Sequence, residues 1–205
     1  MSETNTGSAA VGRRRPARER LLATAARRFY ADGVTATGID TIIAEAGVAK
    51  TSLYNNFSSK AELVRAYLDA RHKEWLAAYR TRLEETAGPR EAVLAVFDTY
   101  ADSAEAARET GFRGCGLLNV AAELPLGDAG REVVRRHKET VEELIGGHLG
   151  HLLPSRPGEA SALAEHLSFL LEGAMARAGL EGDSSRLAHA RTLATALLDG
   201  AADSS

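Results

Sequence analysis

The chain has a single cysteine, Cys115, in 205 residues. An intrachain disulfide framework is therefore excluded, and a reducing, cytoplasmic setting is expected. Nowhere does an apolar run approach the length of about 18 residues from which a membrane-spanning helix is read, so no membrane association is expected. No apolar stretch follows a basic leader, so export by a signal peptide is not expected. Strand-like alternation of useful length is missing, and so is any internal repeat. The catalytic signatures are missing too: no Gly-x-Ser-x-Gly elbow, no His-Glu-x-x-His and no P-loop. Gly114-Cys-Gly116-Leu-Leu-Asn119 resembles a dinucleotide loop only superficially, because it lacks the third glycine and a strand before it. His148 and His151 alone make a weak metal site and read as solvent-facing. Cys115 reads as a small buried hydrophobe. Neither an enzyme nor a cofactor- or metal-binding protein is expected.

What is present is helical periodicity over an asymmetric charge distribution. The apolar fraction of 44% is ample for a core, and the net charge is −3. Residues 1–60 carry nine Lys or Arg against five Asp or Glu, whereas residues 61–205 carry sixteen against twenty-three. A basic end on an acidic body points to a nucleic-acid-binding module joined to something else. Residues 1–15 lack periodicity and close on Arg13-Arg14-Arg15, which reads as a disordered basic tail. That tail is either a solvated leader or an arm that follows the DNA backbone or minor groove.

Residues 35–60 carry the most specific pattern. They predict two short helices joined by a tight turn, then the start of a third. Thr37 is placed to cap the first, with Asp40 as the return partner of a capping box. Ile39, Ile42, Ile43 and Ala46 give it an apolar side, and Gly47 ends it in the left-handed conformation. Val48, Leu53 and Phe57 anchor the second helix. Its outward residues, Lys50, Thr51, Ser52, Tyr54 and Asn55, are polar and mostly short, as a helix entering the major groove requires. The ordinary alternative is a helical hairpin with a solvated polar face.

This stretch resembles the DNA-binding signature of the TetR family of bacterial transcriptional regulators. Ile42, Ala46-Gly47-Val48, Leu53-Tyr54, Phe57, Lys60 and Leu63 carry the resemblance, together with Phe29 and Gly33 of the preceding segment. Ala49, Thr51, Asn56 and Ile43 depart from the usual Ser, Gly, His and Ala. The first departure removes the usual cap of the recognition helix. The resemblance implies an all-α fold of about nine helices. It divides into a helix-turn-helix unit at residues 16–60 and an effector-binding and dimerisation body at residues 61–205. It also implies binding to a palindromic double-stranded operator. Expected DNA-contacting residues are Thr37, Lys50, Thr51, Ser52, Tyr54, Asn55, Asn56 and Lys60, with Tyr54, Asn56 and Lys60 on phosphates and Lys50 and Thr51 on base edges.

Ser59 and Glu62 form a second capping box opening a long helix at residues 59–85, the continuous link between basic end and acidic body. A short helix near residues 115–124 is nearly all apolar and expected to be buried on most sides. Asp128 is placed to cap the next helix. The last two helices, the eighth (159–178) and ninth (184–198), are rich in Ala and Leu on more than one side, which suggests a partner. Ala160, Ala164, Gly173 and Ala174 would allow close approach, and the resemblance implies a homodimer through this pair. A pocket for a largely apolar small-molecule effector is expected among Phe97, Tyr100, Phe112, Cys115, Leu118, Asn119, His137, Phe169 and Met175. The function expected is a repressor released by that effector. An activator of the same fold, a ligand-independent regulator and a DNA-tethered interaction module remain open.

Overall fold

The computed structural model describes residues 16–109 and 111–203. The basic tail expected over residues 1–15 lies outside them. Nine α-helices and no strand are found among the described residues: α1 (Ala17–Asp32), α2 (Ile39–Ala46), α3 (Lys50–Asn56), α4 (Lys60–Leu83), α5 (Pro89–Ala107), α6 (Gly116–Glu123), α7 (Ala129–Leu152), α8 (Pro157–Glu181) and α9 (Ser185–Asp203). None of them is long and apolar enough to cross a membrane.

Two hydrophobic cores organise these helices. The first joins Leu21, Ala25 and Phe29 of α1 to Ile42, Leu53 and Phe57, then to Leu63, Val64, Tyr67 and Leu68 of α4. It also takes Leu117 and Val120 from α6 and Val133 and Val134 from α7. Packing therefore does not stop at residue 60, because α6 and the start of α7 close the first core. The second core begins at Trp75 and Tyr79, further along α4, and fills the space among α5, α7, α8 and α9. Cys115 touches both cores.

Local sequence explains most helix ends. Gly47 adopts φ 60° and ψ 43°, and its N–H closes back on the carbonyls of Ala44 and Ile43. A left-handed residue there lets α3 leave α2 at a sharp angle. Pro89 occupies the first turn of α5, where its missing N–H costs nothing. Asp128 caps α7 by accepting from the Gly130 N–H at 2.7 Å.

Several expectations are corrected. Thr37 does not cap α2: the cap position is Gly38, and no side chain bonds there. Thr37 is buried, and its hydroxyl donates backwards to the Gly33 carbonyl at 2.6 Å, bracing the turn after α1. Asp40 instead pairs with Lys50. The Ser59 box forms in half. The Ser59 hydroxyl accepts from the Glu62 N–H at 3.1 Å, but the Glu62 carboxylate bonds the N–H and hydroxyl of Ser58. In α6 only Leu117 and Val120 are buried, so this helix covers the first core with one face and leaves the other to solvent. Ala160 and Ala164 are buried within the fold. A Cβ added at Gly146 of α7 would touch Ala164 Cβ at 3.6 Å, so the small residues at the start of α8 serve packing against α7. His148 is half-buried, with Nε2 2.7 Å from the Tyr79 hydroxyl, while His151 is exposed.

Candidate nucleic-acid interface and internal cavity

The helix-turn-helix is held from behind by α1. Arg20 Nη1 donates to the carbonyls of Ala46 (3.2 Å) and Gly47 (3.0 Å), the acceptors that the end of α2 leaves open. Arg27 and Arg28 both pair with Glu45 of α2, and Arg18 lies 5.2 Å over the Phe57 ring. With its rear fixed, α3 turns Thr51, Tyr54 and Asn55 outward, and Tyr54 keeps 52% of its surface exposed although it is a large aromatic. Lys50 is exposed beside Asp40, at 3.1 Å. An exposed ion pair of this kind is worth little and readily exchanges for a phosphate or a base edge.

The remaining expected contacts sit less freely. Ser52 and Lys60 are half-buried. Asn56 donates its side-chain amide to the Ser52 carbonyl at 2.7 Å, so that amide also serves the frayed end of α3. Thr37 is brought to the turn behind the helix rather than to its outward face. The structure thus gathers seven of the eight named residues on α3 and the first residue of α4, and sets Thr37 apart.

Contacts missed by sequence reasoning tie this unit to the body. Arg113 donates its backbone N–H to the Tyr30 hydroxyl at 2.7 Å, and its guanidinium reaches the carbonyls of Tyr30 and Ala31 at the end of α1. Glu123, at the end of α6, accepts from the N–H groups of Val34 (2.9 Å) and Thr35 (2.7 Å). Burial opposes its charge, yet those N–H donors and the Thr35 hydroxyl hold the carboxyl below its ordinary range. Chain connectivity runs through α4 alone, as expected, but the loop at residue 113 and α6 form a second mechanical link.

A cavity of about 440 Å³ lies where the two cores meet. Tyr100, Phe112, Cys115, His137 and Met175 line it, as expected from sequence. Four other expected residues do not. Phe97 is fully buried in the second core, because its position on α5 faces the bundle interior. Leu118 lies on the exposed face of α6, Asn119 donates to the Arg113 carbonyl at 2.9 Å, and Phe169 is 66% exposed on α8. The sequence list also missed two walls: Arg27 and Tyr30 from α1, and Tyr67, Arg71 and Trp75 from α4. A signal for the second existed. Arg71 and His72 stand where the apolar stripe of α4 would otherwise continue between Leu68 and Trp75.

The polar groups at the inner end form a relay. The His137 ring nitrogens lie 3.0 Å from His72 Nδ1 and 3.1 Å from the Tyr100 hydroxyl. Burial, with the Lys138 charge beside it, pushes His137 down to about 3, so its imidazole is neutral. Lys138 donates to Glu172 at 2.7 Å and reaches the Tyr100 oxygen at 3.5 Å. The Tyr100 hydroxyl and His72 thus occupy both ring nitrogens of His137.

Comparison with known proteins fits this geometry. The family model described as "Bacterial regulatory proteins, tetR family" matches residues 21–67, which span α2, α3 and the adjoining parts of α1 and α4. A TetR-family transcriptional regulator of Streptomyces coelicolor is 32% identical, superposes with a TM-score of 0.77 and covers 92% of this chain and 95% of its own. The chain belongs to the TetR family. A TetR regulator of Streptomyces avermitilis gives the same identity, 32%, with a TM-score of 0.74 over 91% of this chain and 98% of its own. Curated TetR-like relatives match over less. The HTH-type transcriptional activator FasR of Mycolicibacterium smegmatis is 36% identical over 97 residues, 46% of this chain and 44% of its own. An HTH-type transcriptional repressor of Mycobacterium tuberculosis is 39% identical over 85 residues, 39% of this chain and 40% of its own. The matched segments span less than half the length of these curated relatives, which include both an activator and a repressor.

Proposed function

We propose that this protein binds a palindromic operator as a homodimer, represses transcription there, and is released when a small molecule fills the cavity between its two cores. It acts in the cytoplasm and catalyses no reaction. The observation that carries the DNA-binding part is α3: a seven-residue helix held by Leu53 and Phe57, with an exposed tyrosine and short polar residues turned outward. Lys50 and Thr51 read base edges, while Tyr54, Asn56 and Lys60 hold phosphates. Two copies of α3 fit successive major grooves when a two-fold axis sets them about 34 to 36 Å apart.

The dimer is proposed to form through α8 and α9. Its support is a shallow apolar groove between them, lined by Phe169, Leu170, Gly173, Ala174, Ala190 and Leu193. Leu193 is 42% exposed, and a Cβ added at Gly173 would meet nothing within 4 Å, so this face is open in the single chain. Release is proposed to work through α4 and the second link together. The 24 residues of α4 span about 36 Å. A ligand between Tyr67 and Trp75 presses on the middle of that lever and, through Tyr30 and Arg113, on the end of α1. The ligand must favour the released conformation, and typical coupling of about 1 to 3 kcal/mol suffices for a switch.

Fluorescence anisotropy with the DNA upstream of the protein's own gene tests this reading. Binding should be cooperative and dimeric, and Lys60→Ala should lower the salt dependence of log K by about one for every sequence. A change of preference at one base position in Lys60→Ala would reverse its assigned role. Activation, rather than repression, of a reporter by the same operator would reverse the sign of the regulation.

A further inference from the structure

Taking the cavity as the effector site, a reading on which this inference rests, the side chains around it select a chemical class. We propose that the cavity takes a planar aromatic carboxylate bearing a second oxygen, with the carboxylate bridging Arg27 of α1 and Arg71 of α4 and the second oxygen accepting from the Tyr67 hydroxyl.

The charge of the cavity comes first. Its lining contains two cations, Arg27 and Arg71, and no acidic residue among the described residues. Their present partners are surface carboxylates, Glu45 at 3.1 Å and Glu74 at 2.7 Å. The Arg27 and Arg71 side chains are 67% and 48% exposed, and such pairs contribute little. Exchange is easy for Arg27 in particular, since Glu45 keeps its contacts with Arg28 when Arg27 leaves. Guanidinium groups match carboxylates in a planar fork, so two of them at one mouth favour that anion over a diffuse dipole.

An unsatisfied donor comes second. Tyr67 is only 2% exposed and lines the cavity, and its hydroxyl has no hydrogen-bond partner among the described residues. A buried donor without an acceptor is costly to maintain. The other polar groups nearby are committed or closed off: both His137 nitrogens, the Tyr100 hydroxyl and the Tyr30 hydroxyl have partners, and the Trp75 indole N–H is sealed from the cavity. The Tyr67 hydroxyl is the group left for a ligand oxygen. Tyr67 and Arg71 stand four residues apart on α4, hence one turn apart on the same face. That spacing fits a carboxylate and a ring oxygen at two edges of one aromatic system. Tyr67, Tyr100 and Phe112 supply flat walls that favour a planar body over a branched one. Because Arg27 belongs to α1, such a ligand would touch the DNA-binding unit directly.

Calorimetry on the full chain with three probes tests this: 6-hydroxy-2-naphthoate, its methyl ester, and 2-naphthoate. The hydroxynaphthoate should bind about tenfold or more tightly than the ester, and several-fold more tightly than 2-naphthoate. Arg27→Gln and Arg71→Gln should each weaken the two acids about tenfold and leave the ester unchanged. Tyr67→Phe should erase the preference for the hydroxyl while keeping the preference for the acid. Both arginines are exposed, so unchanged melting of the Gln variants verifies that the fold is intact. Equal affinity for acid and ester, or equal weakening of both by the Gln variants, would overturn the proposed chemistry while leaving the cavity as an effector site. No measurable binding of any probe would overturn both.

Discussion

The first core and the second differ in how they use their surface. In the first, α3 has seven residues and buries only Leu53 fully within its span, leaving a polar face presented by a rigid rear. In the second, α8 has 25 residues, buries Leu167, Leu171 and Met175 on one side, and still shows Phe169 and Leu180 to solvent on another. A helix that binds DNA needs almost nothing from its own outward face except donors of the right length. A helix that binds another helix needs apolar area, and α8 has more than one chain covers. Stability and recognition are therefore separable in α3 and entangled in α8.

The largest test of that contrast is at α8 and α9. Phe169→Glu together with Leu193→Glu should remove on the order of 4 kcal/mol of association free energy. Both side chains are exposed in the single chain, so the monomer should keep its helical content. Sedimentation should find monomers and anisotropy should find specific DNA binding lost. A dimer of unchanged strength would move the interface elsewhere and end the comparison as drawn.

Next in size is Leu53→Ala. Removing this fully buried side chain from the hub of the first core should cost about 3 kcal/mol in urea denaturation. If operator binding fell while the polar face of α3 was untouched, stability and recognition would be separable only as long as the rear holds.

Acid comes third and probes the seam between the cores. His137 titrates near 3 when folded, against about 6.5 when unfolded. Between those values the unfolded chain holds a proton that the folded protein refuses. Stability is thus complete above about pH 6.5 and declines as pH falls toward the folded value, by about 2 kcal/mol at pH 5. His137→Gln cannot titrate and should lose less between pH 7 and pH 5. Parallel losses in both proteins would assign the acid sensitivity to other groups.

Glu123→Gln is the smallest change. It keeps an acceptor for one of the two N–H groups of Val34 and Thr35, turns an NH2 donor toward the other and removes the charge, and should cost about 1 kcal/mol. Its sharper readout is coupling, because weakening the second link should lessen the effect of a bound ligand on DNA affinity without altering the dimer.

Sequence alone carried the helical class, the helix-turn-helix and most helix ends, because these depend on neighbours a few residues apart. Gly47, Asp128 and Pro89 each act within one turn. The cavity was half legible. Tyr100, Phe112, Cys115, His137 and Met175 could be named as apolar or polar walls, but nothing local distinguishes them from Phe97, which packs in the core, or Phe169, which faces out. That distinction depends on how α5 and α8 are rotated, and rotation follows from contacts distant in sequence, such as Asp98 of α5 with Arg191 of α9. Thr37 was misassigned for a related reason. A threonine before a helix reads as a cap, yet the carbonyl of Gly33, four residues back, offers its hydroxyl a better partner at 2.6 Å.

One contact behind the cavity bears on how its specificity could drift over generations. A Cβ added at Gly179 of α8 would meet the Cα of Gly114 at 2.6 Å, and Gly114 itself sits at φ 80° in the cavity wall. Gly179 cannot gain a side chain unless the backbone opposite moves, which would reshape the wall and pull on Tyr30, and Gly114 is held to glycine by its positive φ. Arg27 and Arg71, by contrast, stand at an open rim where replacement disturbs no packing. In the proposed effector site, variation is thus channelled: the rim is free to change which molecules are admitted, while the glycine pair keeps constant the surface through which they would act.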